Sequence, residues 1–310
     1  MPIAVNDVRR DQFLENVLIA NVNESFIADA LFTPKTVVKD SGDVGGISND
    51  HLRVYESERA LYDRSRHEME YSYNNPVDYK IAYHDLSTYV PDRLVEQAQN
   101  PFFPRRDAGI VLLNAMRLRR ENDLAAQLTS TSVLTQNTTL SGSSQFNDPS
   151  SQPEKVIQDA KDVVHAAIGS EANSILLGRD VFNTLKRHPF FLSLISGISV
   201  LSEEKLTMML KDHFGFDNVY VGKTIKVTSK QGQTETKGAV WNDDIVVYKK
   251  GSGDFDQTLG LSLSLAGYQM KSVVYREPTA QKGDIVEVEN AWQDLVISPT
   301  AGYLIKSAIA

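Results

Sequence analysis

The sequence predicts an α+β fold in which a long extended arm precedes one long helix. Three observations support this prediction. A charged, strand-like stretch occupies residues 36–75, and the clearest helical periodicity of the chain follows it from Arg105 to Leu128. The rest of the chain alternates shorter helical segments with short apolar segments that are typical of strands.

Composition limits the classes of function. The chain has 310 residues, a net charge of −8, an isoelectric point near 5.3 and no cysteine. Its length predicts one or two compact units. The acidic balance predicts that DNA would be contacted weakly and non-specifically. Disulfides, thiolate zinc sites and cysteine nucleophiles are excluded, and we expect no signal peptide and no membrane partner.

The first 34 residues predict an arm with one short helical pattern around Phe13, Val17 and Leu18. Val37 and Val38 then suggest a short strand. The next segment, SGDVGG, predicts a flexible turn, and its glycines Gly42, Gly45 and Gly46 are candidate hinges.

The stretch from His51 to Tyr73 carries four arginines, four glutamates, one aspartate and four tyrosines. Neither a period of 2 nor a period of 3.6 gives it a clean apolar face, so it cannot bury itself. It is therefore either disordered or made to contact a partner, and its tyrosines favour the partner. We interpret it as a long two-stranded hairpin. Its candidate intersubunit contacts are Arg53, Tyr55, Arg59, Tyr62, Arg64, Arg66, Tyr71 and Tyr73.

Residues 77–90 resume an extended pattern that Pro91 ends, and Pro101 and Pro104 precede the long helix. Along that helix apolar residues recur at spacings of three and four, and the charged residues Arg117, Arg119, Arg120, Glu121 and Asp123 are expected on the other face. The residues predicted to face the core are Val111, Leu112, Ala115 and Leu118.

The second half predicts a loop over residues 129–153, helices over 154–168, 181–186 and 202–210, and short strands between and after them. The last 45 residues are predicted to be largely β. Two of their candidate strands are 284–290 and 292–297.

Motifs for catalysis or cofactors are weak throughout. The six histidines are dispersed without metal-ligand spacing, so none is assigned as a ligand. The glycines 42, 45 and 46 do not open a helix in a dinucleotide-binding unit, and no GxSxG or phosphate-binding loop is present. Asp243 and Asp244 are better explained as a solvated turn than as a cation site. We therefore predict no enzyme, no cofactor and no metal.

The order of these elements resembles the major capsid proteins of tailed bacteriophages with the Hong Kong 97 type of fold. The resemblance covers nearly the whole chain and includes several short strings. These are Tyr89-Val90-Pro91-Asp92, Asn100-Pro101, LRRENDLA from Leu118, Ile175-Leu176-Leu177-Gly178, VFNTL from Val181, His188-Pro189, Val240-Trp241, Val246-Val247-Tyr248 and AGYLI from Ala301. Each string is weak alone, and their order and spacing make the resemblance.

The resemblance implies a domain plan. Residues 1–35 would be an N-terminal arm and 36–75 an extended hairpin loop. Residues 76–153 and 277–310 would form a peripheral domain around a spine helix at 105–128, and 154–276 an axial α/β domain. The glycine hinges would let one sequence fit five-fold and six-fold rings.

The resemblance also implies partners and a location. The chain would assemble with itself into hexamers and pentamers of an icosahedral virion head, formed in the host cytoplasm around double-stranded DNA. A scaffolding protein encoded separately, a portal and a possible decoration protein would be further partners. For the arm, a mobile surface hairpin is the simpler alternative to an intersubunit strap. For the protein, the rivals are an encapsulin-like nanocompartment enclosing a cargo enzyme and a soluble α/β hydrolase with an insertion.

Overall fold

The structure is a computed structural model, and it describes the larger part of the chain. The described residues are 8–10, 26–44, 52, 54, 77–98, 103–194, 200–230, 232–251, 257–268, 271–276 and 282–310.

Seven α-helices lie in the described ranges. They are α1 (Ala28–Leu31), α2 (Asp92–Gln97), α3 (Pro104–Leu128), α4 (Pro153–Ile168), α5 (Arg179–Leu185), α6 (Pro189–Ser193) and α7 (Glu203–Phe214). The strands are β1 (Val8–Arg10), β2 (Thr33–Val37), β3 (Ser41–Val44), β4 (Val77–Lys80), β5 (Ala82–Pro91), β6 (Asn137–Thr139), β7 (Ser174–Gly178), β8 (Asn218–Gly222), β9 (Ile225–Val227), β10 (Lys237–Ala239), β11 (Ile245–Tyr248), β12 (Gly260–Leu265), β13 (Lys271–Arg276), β14 (Gly283–Val296) and β15 (Gly302–Lys306).

A six-stranded sheet is organised around the 14-residue strand β14. On one edge of β14, β13 and β12 pair with it antiparallel, and they carry β1 and β2 as outer strands. On the other edge β5 pairs antiparallel over its whole length. The predicted strands 284–290 and 292–297 are therefore one strand. The predicted strands leave a gap at Ala291, but this residue lies within the strand, paired with Tyr83 of β5.

A five-stranded sheet has the order β6-β15-β11-β7-β8. It carries the largest apolar core, which α4, α5 and α7 cover. The sheet pairs 137–139 and 302–306 with the predicted axial segment, and it leaves 260–276 in the other sheet. The predicted domain boundaries therefore separate strands that pair with each other, such as β15 and β11. The sequence could not show this, because the paired residues are more than 50 positions apart and leave no local pattern.

The long helix α3 has 25 residues, or about 37 Å. It begins one residue before the predicted start and ends at the predicted residue, with Pro104 in its first turn. Its first half packs through Leu112, Leu113 and Met116 on the face of the six-stranded sheet that carries Val286 and Val288.

Two residues predicted for the core side of α3 are exposed. Val111 is 66% exposed, and Ala115, one turn later, is also on the surface. Leu112 is buried as predicted and Leu118 is half-buried. This part of the helix carries apolar side chains on several of its sides, so their spacing alone does not determine which face packs against the core.

The last residues of the N-terminal arm predicted for residues 1–35 lie in the core. Leu31 and Phe32 are fully buried, and the Tyr248 hydroxyl donates a hydrogen bond to Leu31 O (3.0 Å). Residues 33–37 form β2, which extends the sheet beside β12. The predicted helical pattern around Phe13 lies outside the described residues.

Candidate assembly surfaces

The root of the predicted arm is a two-stranded ladder. β3 and β4 pair antiparallel, with Val44 directly opposite Val77. The 32 residues between these two positions therefore leave and rejoin the described fold at one place.

The ladder is anchored to the six-stranded sheet. Val44 and Tyr79 pack on a cluster that contains Ile81, Leu263 and Ala291. Ile81 N donates to Asp40 O (2.8 Å), and Lys80 N donates to the side-chain oxygen of Gln293 (2.8 Å). These contacts hold the ladder on the six-stranded sheet.

Gly42 does not lie in a flexible turn, because it occupies a paired position of β3 opposite Tyr79. A Cβ atom at Gly42 would come within 3.1–3.3 Å of the Tyr79 ring, so the absence of a side chain lets the ring lie across the strand. Gly45 and Gly46, the other predicted hinges, lie outside the described residues. So do all eight predicted contact residues of the arm: Arg53, Tyr55, Arg59, Tyr62, Arg64, Arg66, Tyr71 and Tyr73.

Arg120 joins α3 to the six-stranded sheet. Its side chain is 13% exposed and forms a two-pronged ion pair with Asp294, with both N–O distances 2.7 Å. It also donates to the Ser262 hydroxyl (2.6 Å) and to the carboxylate of Asp29. The planar guanidinium fits such a set of acceptors because its donors have a fixed geometry.

Glu121 joins the same helix to the other side of the molecule. It is fully buried, and its carboxylate accepts hydrogen bonds from the backbone N–H groups of Ile27 (3.1 Å) and Ala28 (2.8 Å). The indole N–H of Trp241 and the hydroxyl of Thr224 donate to its other oxygen. Burial raises the pKa of Glu121, and these four hydrogen bonds oppose the increase.

Both residues were expected on the solvent face of α3, and the structure shows this to be wrong. They hold α1 from two directions, since Arg120 binds Asp29 and Glu121 binds the backbone at the start of that helix. The N-terminal segment that reaches Phe26 is thereby attached to the middle of the long helix. A charged run such as RRENDLA gives no local sign that two of its members have partners about 90 to 175 residues away.

An exposed apolar surface lies beside α3. A cleft there is lined by Phe26, Asn114, Ala115, Leu118, Lys223, Thr224 and Ile225. Ile225 in the cleft is about half exposed, and its neighbour in β9, Val227, is equally exposed. Grouped apolar side chains of this kind on a soluble fold are typical of protein interfaces.

The other candidate groups have structural roles. Asp244 is largely buried and accepts from Ser307 N (3.1 Å), so it fixes the C-terminal segment. His188 is buried, and its ring nitrogens contact Ser151 and Phe190. Among the described residues, no group of three or more potential metal-binding side chains is present. The described helices also include none with the length and apolar character needed to cross a bilayer.

Comparison with known proteins gives two relatives by sequence. The chain is 28% identical over 306 residues to the major capsid protein of Burkholderia phage BcepMu, covering 95% of each chain. It is 26% identical over 239 residues to the major capsid protein of Pseudomonas phage JBD67, covering 73% of this chain and 74% of the relative. No family model matches the sequence.

Solved structures share the fold. A phage-related protein from Bordetella bronchiseptica RB50 superposes with a TM-score of 0.75 at 21% identity, covering 97% of this chain and 98% of that one. The capsid protein of cyanophage P-SCSP1u matches with a TM-score of 0.53 at 11% identity, covering 92% and 89%. An encapsulin from Synechococcus elongatus PCC 7942 also reaches 0.53, at 12% identity and covering 93% and 88%. By sequence relationship and by fold, this chain is related to the tailed-phage major capsid proteins and has the Hong Kong 97 type of fold.

Proposed function

We propose that this chain is the major capsid protein of a tailed bacteriophage or a related prophage. In this role it forms the hexamers and pentamers of an icosahedral head that encloses double-stranded DNA. The observation that carries the proposal is the relationship to a phage major capsid protein over 95% of both chains. A relationship of that extent includes the arm as well as the folded sheets.

The arm root supports a shell function. Each half of the 32-residue segment between Val44 and Val77 can extend about 50 Å when fully extended. That length exceeds the width of a small domain, so the arm can contact a neighbouring subunit. Head-to-tail contacts of this kind close into rings when the rotation between neighbouring subunits allows it. The hinge role of Gly45 and Gly46 and the contact role of the arm's arginines and tyrosines belong to this proposal.

The proposal includes partners and a location. The subunit would lie in the virion capsid after assembly in the host cytoplasm, guided by a scaffolding protein and closed at one vertex by a portal. A decoration protein is a possible addition. The net charge of −8 suits a container for DNA, because a wall that does not bind phosphates strongly lets packed DNA leave. The role is structural and requires no catalysis.

An encapsulin-like nanocompartment is the second candidate, because the encapsulin structure matches as well as the cyanophage capsid does. Fold likeness therefore does not discriminate between the two. The sequence relatives favour the phage capsid, since both are phage major capsid proteins.

The experiment that tests the strap function replaces residues 45–76 with Asn-Gly. Because Val44 and Val77 are directly opposite in an antiparallel ladder, a two-residue turn closes it without strain. We expect a folded protein by circular dichroism that forms no closed shells by electron microscopy. A matched control keeps the length of the arm but replaces residues 46–75 with a glycine-serine linker, and it should also fail to close shells. Complete shells from either variant would contradict the strap function.

A further inference from the structure

The cleft beside α3 is uncovered in the part of the chain that the structure describes. It has a volume of about 420 Å³ and is lined by α3, by Phe26 and by the residues that lead into β9. Ala115 and Leu118 lie three residues apart on one side of α3, and Ile225 lines the same cleft from β9. Apolar side chains that are grouped in this way gain free energy when another apolar surface covers them.

The N-terminal segment enters the described fold at this cleft. Phe26 forms part of the cleft wall, and the backbone N–H groups of the two residues after it donate to Glu121 (3.1 and 2.8 Å). At its other end the segment continues from β1, and Val8–Arg10 of that strand pair with β13 of the same chain. Residues 11–25 are therefore attached at both ends to their own subunit, and one of these ends is in the cleft wall.

Residues 11–25 carry apolar side chains at helical spacing. Phe13 and Val17 are four residues apart, as are Leu14 and Leu18, so a helix would place them along one side. The eight residues from Leu18 to Phe26 can span at most about 28 Å. A connection this short keeps the apolar residues at a high effective concentration beside the cleft of their own chain.

The segment and the cleft have charges of opposite sign. Residues 11–25 contain three acidic residues and no basic one, a formal charge of −3. Residues 223–237, which include the two-stranded ribbon of β9 and β10, contain four lysines and one glutamate, a formal charge of +3. An acidic amphipathic segment therefore complements a cleft whose rim is basic.

Two lysines of the ribbon lie at the cleft. Lys226 donates to the side-chain oxygen of Asn122 on α3 (2.6 Å), and this neutral acceptor leaves its positive charge in place, one turn beyond Leu118. Lys223 lines the cleft and pairs with Glu203 (2.8 Å), which cancels one charge of the ribbon's excess. The remaining excess is still positive.

We propose that residues 11–25 dock in the cleft between α3 and the β9–β10 ribbon of their own subunit. Phe13, Val17 and Leu18 contact the apolar wall that Ala115 and Leu118 provide, and the acidic residues face the lysines of the ribbon. The segment's own subunit is favoured over a second copy because both of its ends are attached there. This contact belongs to the folded subunit and does not depend on the proposed shell function.

Cysteine cross-linking tests the contact directly, because the natural chain has no cysteine. Val17→Cys with Ala115→Cys places one thiol in the segment and one in the cleft wall. The matched control combines Val17→Cys with Val163→Cys, at an exposed position of α4. With a short bismaleimide cross-linker, we expect the first pair to join within one chain in at least about tenfold higher yield than the control.

Charge reversal tests the electrostatic part with the same cross-link as its readout. Asp11→Lys with Glu15→Lys should slow cross-linking of the first cysteine pair several-fold at low salt, and added salt should reduce the difference. Glu96→Lys with Asp212→Lys makes the same change of charge at exposed positions of α2 and α7 and should leave the rate unchanged.

An equal mixture of isotope-labelled and unlabelled chains shows which subunit's cleft is occupied. Cross-linked peptides that join a labelled chain to an unlabelled one would place the segment on a second copy, and the proposal would be wrong. Equal yields from the two cysteine pairs, in proteins with the circular dichroism of the wild type, would also overturn it. If the chain forms no shells but the cross-link forms within chains, the proposed function fails and this contact stands.

Discussion

Arg120 and Glu121 are neighbours on α3 and bind to opposite sides of the molecule. Arg120 reaches Asp294 and Ser262 in the six-stranded sheet, and Glu121 receives the indole N–H of Trp241. Trp241 can approach because Gly222 has no side chain, and a Cβ there would come within 2.2 Å of the indole. Removing either charge would leave several buried polar groups without partners, which costs more than an average surface substitution.

At the residue scale, His188 gives a pH-dependent prediction. Its Nδ1 accepts from Phe190 N (3.2 Å) and its Nε2 lies 3.0 Å from the Ser151 hydroxyl, so the buried ring is neutral with the proton on Nε2. Burial lowers the pKa of His188, and a hydrogen bond from the ring to the backbone carbonyl of Asp148 opposes the decrease. As pH falls below the ordinary histidine value of 6.5, the unfolded chain gains a proton that the folded chain does not.

The free energy of unfolding should therefore decrease from pH 7.5 to 5.5, by at most about 1.4 kcal/mol per pH unit from this residue. His188→Gln should make that decrease smaller in urea unfolding. An identical pH dependence in the wild type and His188→Gln would contradict this assignment.

At the element scale, α3 determines how the two sheets meet. Its first half packs on Val286 and Val288 of β14, and its second half contributes Leu124, Ala125 and Leu128 to the core under the five-stranded sheet. The two halves bury different faces. A single stripe along the whole helix is therefore the wrong model, which explains the misassignment of Val111 and Ala115.

A pair of substitutions one position apart tests the buried face of this helix. Leu112→Asp places a charge in the cluster with Leu113 and Met116 and should decrease the free energy of unfolding by roughly 3–5 kcal/mol. Val111→Asp should change it by only about 0.5 kcal/mol, because that side chain is in solvent. Chemical denaturation measures both, and a soluble, shell-forming Leu112→Asp protein would show that this face is not the core side.

The sequence identified elements better than pairings. The helices α3, α4 and α7 are present within a few residues of their predicted positions, because each has a strong local pattern. Ser202 caps α7, with its hydroxyl accepting from Lys205 N (3.4 Å). The sheet order and the burial of Arg120 and Glu121 depend on partners distant in sequence, and no local pattern contains them.

At the scale of the whole molecule, the last strand illustrates this limit. β15 lies between β6 and β11, near the middle of the five-stranded sheet, although it ends four residues before the last residue of the chain. The N-terminal segment at Leu31 and Phe32 enters the same core. Segments that are far apart in the sequence, Leu31–Phe32 and β15, therefore stabilise one core.

The assembled shell should contain no covalent bonds between subunits. Some capsid proteins of this fold form an isopeptide bond between a lysine of the hairpin loop and a neighbour's asparagine. Here Lys39 precedes the arm and Lys80 follows it. The residues between them include arginines but no lysine. Arginine stays protonated and is a poor nucleophile. Boiling particles in detergent should release one band near 34.5 kDa, and a ladder of multimers that survives a reducing agent would contradict this.

Electron microscopy of the purified full-length chain, expressed alone and with its neighbouring genes, tests the central claim most directly. The account predicts closed angular shells built from hexamers and pentamers. Small uniform shells filled with an enzyme would support the nanocompartment instead. A protein that stays monomeric or forms only small open oligomers under both conditions would contradict the assignment as a shell subunit.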